Sequence, residues 1–332
     1  RMRQPNFHVR LHPDTPADFY ERVIDIHTGR GSAPALYNDE IIIKTMTNAG
    51  YSLADARNYV AIGCVEPTSQ GKTLGSTDAA IINLPLALEM ALNQGRCFDA
   101  KVPYFHNRYG AKTAPVSEMK TMADVREAYE AQLRHQMAKL HEDLQAIEKA
   151  HRIYHPTPMT SMLIDGCLEK GTCSTEGGAT YNFSGIQGVG ITTVGDALCA
   201  IEKAVFEDKL ISLEELVRQL KTNLSDAALH ARLRRIAKFG NDDEKADAWT
   251  RYVADNYSET VMALGKNTRG GQYNAGLYSN TTHVHFGSFV GALPNGRRAG
   301  EPFESGIAPE NGMDRKGPVA LINSMNRLDF TK

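Results

Sequence analysis

Gly63-Cys64-Val65-Glu66-Pro67 decides how the rest of this chain is read. It sets a thiol and a carboxylate two residues apart, and Pro67 biases Glu66 toward extended backbone angles and away from helix. In an extended chain residues i and i+2 project to the same side, so Cys64 and Glu66 are expected to share one space. The run Tyr59-Val60-Ala61-Ile62-Gly63 is short, apolar and partly β-branched, and it reads as a buried strand delivering the pair. A thiol and a base at the end of such a strand make a candidate catalytic pair. The alternative is a buried structural cysteine beside a salt-bridged glutamate. Nucleophilic thiolate chemistry needs a cation or histidine close by, and no Lys, Arg or His lies within four residues of Cys64.

Composition narrows the class. The 332 residues exceed the usual single domain of about 100–200 residues and allow a large core. A net charge of −2 offers nothing to nucleic acid or to an anionic membrane surface. No apolar run approaches the roughly 18 residues of a membrane span, and Arg1-Met2-Arg3-Gln4-Pro5-Asn6 lacks a signal-peptide core. The five cysteines (Cys64, Cys97, Cys167, Cys173, Cys199) are odd in number and widely spaced, which points to reduced cytosolic thiols. Cys167 and Cys173 lack a second close Cys/His pair, so no metal site is expected. Cys199 lies in an apolar helical run and reads as core.

Helical spacing of Phe19, Val23 and Ile26 predicts a helix over 18–27, and 52–59 reads as a short helix leading into the strand before Cys64. Residues 79–93 read as a buried helix stopped at Gly95, with Pro85 kinking it or moving its start. A long amphipathic helix is expected over 122–151, and shorter ones over 196–207 and 213–224. Residues 277–286, rich in β-branched and aromatic side chains, predict a second strand, followed by loop from Gly287. No repeat or interdomain linker is visible.

Four ordered motifs carry a family resemblance. Gly63-Cys64-Val65-Glu66-Pro67 is followed by Gly71-Lys72-Thr73 and Asp78-Ala79-Ala80, and then by the segment 177–185, Gly-Gly-Ala-Thr-Tyr-Asn-Phe-Ser-Gly. Arg269-Gly270-Gly271 and the segment 294–302, Pro-Asn-Gly-Arg-Arg-Ala-Gly-Glu-Pro, complete the set. Through nearly its whole length the chain resembles the glycyl radical enzymes, in the branch of diol dehydratases and choline lyase. Formate acetyltransferase resembles a pattern of two adjacent cysteines, whereas residue 63 here is Gly.

The resemblance implies an α/β fold: part, roughly the second half, of the ten-stranded glycyl radical enzyme barrel surrounded by helices. Residues 1–332 would form one catalytic-domain fragment, with the N-terminal half-barrel and the C-terminal glycine radical domain missing. The Arg-Val-x-Gly-Tyr type of loop that holds the stored radical is not found in this sequence. No cofactor is expected in the chain itself. The glycyl radical of the C-terminal region would be installed by a radical S-adenosylmethionine activase, the implied partner. A small diol-like substrate, a homodimer and a cytoplasmic or microcompartment setting complete the implication, with no nucleic acid and no membrane.

The same resemblance assigns Cys64 as the thiyl-forming residue and Glu66 as general base, its pKa raised by burial toward the working pH. Asp78 is read either as the N-cap of the following helix or as a grip on substrate hydroxyls, as in the similar Gly-x-x-Asp-Ala-Ala context of diol dehydratases. Tyr181 and Asn182, with Ser184, fit either barrel lining or turn chemistry. Asn274 and Tyr278 approach the second strand, and Asn274 stands where a sulfonate-cleaving relative would use a cation. His283 and His285 alternate on that strand, with core or loop hydrogen bonding expected over metal ligation. The loop 295–309 reads as structural. Rival functions are C–S cleavage of a hydroxysulfonate, C–N cleavage of an amino alcohol such as choline, or a non-catalytic remnant.

Overall fold

The computed structural model describes residues 7–30, 34–98 and 110–332, so the N-terminal hexapeptide considered above lies outside them. Seven short strands form three sheets among these residues. β1 (His8–Leu11) pairs in parallel with β2 (Ala35–Asn38). β3 (Tyr59–Ile62) and β4 (Glu66–Ser69) form an antiparallel hairpin. β5 (Ala80–Asn83), β6 (Ser184–Val189) and β7 (Tyr273–Gly276) make a parallel sheet in that order.

A parallel pair cannot be closed by a hairpin and needs a long crossover. Helices Leu84–Ala91 and Met122–Tyr154 lie between β5 and β6, and helices Ile191–Ile201 and Glu244–Met262 lie between β6 and β7. Side chains alternate along each strand. One face of the sheet therefore turns Ile82, Ile186 and Tyr273 into the main core, against Leu88, Leu133, Val194, Leu198, Val253 and Tyr257. Full burial of each aliphatic residue there stabilises the fold by about 1.5–3 kcal/mol. The register leaves Ile81, Gly185, Gln187, Asn274 and Gly276 on the opposite face, which is polar and rich in glycine.

The ends of the sheet are tied to the helices by buried polar groups. Glu148, on the long helix, accepts hydrogen bonds from the Ser184 hydroxyl at 2.8 Å and from the Thr268 N–H and hydroxyl at 2.9 and 2.6 Å. Arg269 lies 3.6 Å from the same carboxylate and donates to the Ser184 hydroxyl and to the Phe183 carbonyl. Farther along, Arg297 is fully buried and donates to the carbonyls of Gly287, Val290, Gly291 and Glu301, which gives the loop 295–309 its structural role.

Several elements differ from the sequence reading. Residues 79–93 are a strand followed by a helix: Pro85 stands in the first helical turn, and Asn83 caps it by accepting from the Leu86 N–H at 3.1 Å. Asp78 precedes the strand and is therefore not an N-cap. The second strand is Tyr273–Gly276, fixed by pairing Tyr273 with Ser184, while part of 277–286 forms helix Thr282–Gly287. A bond from the Thr282 N–H to the Ser279 carbonyl at 2.8 Å turns the chain there, so tertiary pairing overrides the β-propensity of the Thr-Thr-His-Val run. His283 and His285 accordingly do not alternate on a strand. The helix expected over 196–207 starts at Ile191 and ends in a π-helical turn, Glu202–Glu207. The helix over 213–224 stops at Lys221.

Candidate active site

The β3–β4 hairpin pairs Ile62 with Glu66, so Gly63, Cys64 and Val65 form its turn. The extended course expected through Cys64 is thus replaced by a reversal, and β3 is only partly buried. Gly63 makes the reversal with φ +56°, in the left-handed region that side chains other than glycine resist. A Cβ at this position would stand 2.9 Å from Glu66 Oε2. The absence of one therefore lets the carboxylate fold back beneath the turn.

Glu66 Oε2 accepts from the N–H groups of both Cys64 and Val65, each at 2.9 Å. Neighbouring strands hold the outer side of the turn. The His8 ring Nε2 donates to the Cys64 carbonyl at 3.0 Å, and the Tyr37 hydroxyl donates to the Val65 carbonyl at 2.9 Å. Every backbone group named here has a partner, which fixes the direction in which the Cys64 thiol leaves the chain. The thiol is half-buried and hydrogen-bonds the Tyr278 hydroxyl.

Charge at the site follows from these contacts. Burial of Glu66 favours its neutral form, but the N–H groups of Val65, Glu66 and Cys64 together with the Asp78 carboxyl hold its pKa below the ordinary carboxylate value. The expectation that burial raises Glu66 is corrected accordingly: donors around the carboxylate outweigh desolvation. Asp78 goes the other way, raised by burial and by its hydrogen bond to Glu66. Of the two carboxyl groups, Glu66 is the more readily ionised. Burial, followed by the nearby Cys64, pushes Tyr278 up to about 12. Burial, followed by Glu66 and Cys64, does the same to Tyr37.

Of the residues singled out from sequence, Cys64, Glu66, Asp78 and Tyr278 come together. Asn274 is carried on the same sheet face as Gln187, one strand over, opposite Gly185. Tyr181 is engaged elsewhere, because its hydroxyl donates to Asp55 at 2.7 Å and accepts from the Ser52 N–H, and its ring packs on Tyr51 and Phe183. Asn182 donates to the carbonyls of Ala179 and Gly177 and holds the glycine-bounded loop. Sequence reading missed His8, Tyr37 and Gln187. Gln187 donates to Asp78 Oδ1 at 2.8 Å and accepts from the Tyr278 N–H at 2.9 Å. A lone amide in the otherwise buried, mostly apolar stretch 185–189 was the available signal. Among the described residues no three His, Cys, Asp or Glu side chains are grouped to hold a metal ion, and no helix is long and apolar enough to cross a membrane.

Comparison with known proteins places the chain in a family. The chain is 34% identical to trans-4-hydroxy-L-proline dehydratase of Clostridioides difficile, with 100% of the chain and 41% of that protein aligned. It is 32% identical to (2S)-3-sulfopropanediol dehydratase of Klebsiella oxytoca, covering 100% of the chain and 40% of the relative. The glycerol-bound B12-independent glycerol dehydratase of Clostridium butyricum superposes with a TM-score of 0.93 at 37% identity, over 99% of this chain and 41% of that one. The chain thus spans about two fifths of the length of the proteins it matches. The profile described as pyruvate formate lyase-like matches residues 1–287, and the chain belongs to that family of glycyl radical enzymes.

Proposed function

We propose that this chain supplies the thiol and the base of a glycyl radical lyase that dehydrates a 1,2-diol such as glycerol or propane-1,2-diol. The observation that carries the reading is the single turn that presents Cys64 while holding the Glu66 carboxylate in contact with Asp78. Support for dehydration comes from relatives named as dehydratases of glycerol, of sulfopropanediol and of hydroxyproline. A stored glycyl radical, carried on a segment outside this chain and installed by a radical S-adenosylmethionine activase, would supply the oxidising power. The Cys64 thiol fits that relay, because its turn is fixed on both sides and its sulfur hydrogen-bonds the Tyr278 hydroxyl.

The Cys64 sulfur, as thiyl radical, takes a hydrogen atom from the carbon bearing one hydroxyl and becomes a thiol. That hydroxyl is now far more acidic than an ordinary alcohol, so a carboxylate of low pKa suffices to accept its proton, and Glu66 is held ionised to do so. The neighbouring C–O bond breaks, and the departing hydroxyl takes up a proton, offsetting the one that Glu66 accepted, and leaves as water. The product radical recovers a hydrogen atom from Cys64, and the net change is loss of one water. Asp78 and Asn274, on the site side of the sheet, are the proposed contacts for substrate hydroxyls, and Tyr278 shields the sulfur. Tyr181 and Asn182 shape the loops around this space.

The test is product analysis of the whole activated enzyme, offered glycerol, propane-1,2-diol, trans-4-hydroxy-L-proline, choline and hydroxyethanesulfonate. Aldehyde formation from a diol, lost in Cys64→Ser, is the expected result. Turnover of hydroxyproline, choline or the sulfonate alone moves the substrate class while keeping the radical relay. Undiminished turnover in Cys64→Ser removes the relay itself.

A further inference from the structure

We infer that Gln187 and Gly276 form a positioning device that ties the neighbour of the base to the neighbour of the thiol. This rests on the reading of Cys64 and Glu66 given above. Gln187 is 5% exposed, and its amide uses both ends. Nε2 donates to Asp78 Oδ1 at 2.8 Å and to the Thr77 carbonyl at 3.2 Å, while Oε1 accepts from the Tyr278 N–H at 2.9 Å. Asp78 in turn bonds Glu66, and the Tyr278 hydroxyl bonds Cys64. One side chain on β6 therefore spans two separate segments, the one before β5 and the one after β7, at the points where each touches the reacting groups. A buried amide left without partners is costly, so the fold holds this one in its bridging orientation.

Gly276 is the other half of the device. It stands directly opposite Gln187 in the β6–β7 register. A Cβ there would lie 2.3 Å from Gln187 Oε1 and 2.7 Å from its Nε2. The clash involves the end of a flexible side chain and not backbone, so an alanine at 276 evicts the amide and leaves the strand in place. Two unrelated substitutions, one on each strand, should thus give one phenotype.

The experiment uses the whole enzyme with Gln187→Leu, Gly276→Ala and Gln187→Glu. The first readout needs no substrate: peptide-resolved alkylation of Cys64 by iodoacetamide, with Cys173 as internal reference. Cys173 is half-buried, and hydrogen bonds from Ser161 and Thr175 outweigh burial to lower its pKa to about 6. Gln187→Leu and Gly276→Ala should raise the Cys64 rate several-fold as Tyr278 loosens, leaving Cys173 unchanged. Turnover of propane-1,2-diol should fall by about 100-fold in kcat, as expected for misplaced reacting groups, with KM altered far less.

Gln187→Glu still accepts from Tyr278 but, once ionised, faces Asp78 and Glu66; Cys64, Tyr278, Tyr37 and His8 are further ionisable side chains around the site. Its activity should approach wild type at the acidic end and fall as pH rises, whereas a side chain of merely structural value would scale the whole profile uniformly. Wild-type alkylation and kinetics in both Gln187→Leu and Gly276→Ala overturn the inference. Retained turnover in Cys64→Ser instead overturns the functional reading, and the alkylation comparison still decides whether the brace exists.

Discussion

Glu66 sits beneath the backbone of Cys64 and accepts its N–H at 2.9 Å, so the turn that presents the thiol also holds the base. The two groups are placed by one local structure and not by two distant elements packing together. Residues 63–66 therefore set the backbone spacing of the pair, while the aim of the two side chains also depends on their neighbours Asp78 and Tyr278.

Gly63→Ala tests that spacing. A side chain at φ +56° costs about 1–2 kcal/mol, and the new Cβ would meet Glu66 Oε2 at 2.9 Å. The expected result is a loss of unfolding free energy of that size in urea denaturation, together with a loss of turnover larger than the stability change explains, because the carboxylate is displaced. Wild-type activity in a protein destabilised by the predicted amount separates the turn from the chemistry and rejects their linkage.

Cys64→Ser should leave the hairpin intact, since the residue's structural contacts in the turn are made by its N–H and carbonyl. Thermal unfolding is expected within about 0.5 kcal/mol of wild type, because a serine hydroxyl can keep the hydrogen bond that the thiol makes to the Tyr278 hydroxyl. Turnover should be abolished, while the glycyl radical signal in electron paramagnetic resonance still forms on activation.

The site was legible in sequence to the extent that chemistry was local. Cys64, Glu66 and Pro67 announce themselves, but the inferred route was wrong: proximity comes from a glycine turn and not from extended i, i+2 geometry. The pKa direction of Glu66 was missed because it depends on backbone donors whose aim is invisible until the turn closes. Pro85 pointed to a displaced helix start, while the preceding strand was obscured because its residues are as apolar as the helix. The second strand was misplaced for a related reason. Thr281, Thr282 and Val284 have strand propensity, yet only residues in register with β6 can pair, and Tyr273–Gly276 hold that register. Gln187 matters through contacts with residues far along the chain on either side, Asp78 and Tyr278, and no local pattern encodes that.

Glu148→Ala probes how the sheet is fastened. The substitution leaves Arg269 buried without its carboxylate, and removes the acceptor of Ser184 and Thr268. Breaking a buried pair from one side costs about 3–5 kcal/mol. Chemical denaturation should show that loss, and a change below about 1 kcal/mol would mean the pair is solvated in solution.

Asp78→Asn separates the titration of Asp78 from that of Glu66. The amide can still accept from Gln187 and donate to Glu66, so the geometry is retained and the titration is removed. In the wild type, Asp78 has a raised folded pKa, set by burial and then by Glu66. Its contribution to stability is complete below the unfolded value of about 3.9 and is lost as pH rises through the folded value. Glu66, lowered, contributes with the opposite sign, gaining as pH rises through the acid range. Removing Asp78 alone should therefore make the variant progressively more stable relative to wild type as pH is raised from about 4 toward neutrality. Melting temperatures across that range check the sign, and a flat or declining difference contradicts the raised Asp78. In turnover assays KM for a diol should rise while the fold is kept, because a donor-only NH2 group replaces a carboxyl oxygen that can accept from a substrate hydroxyl.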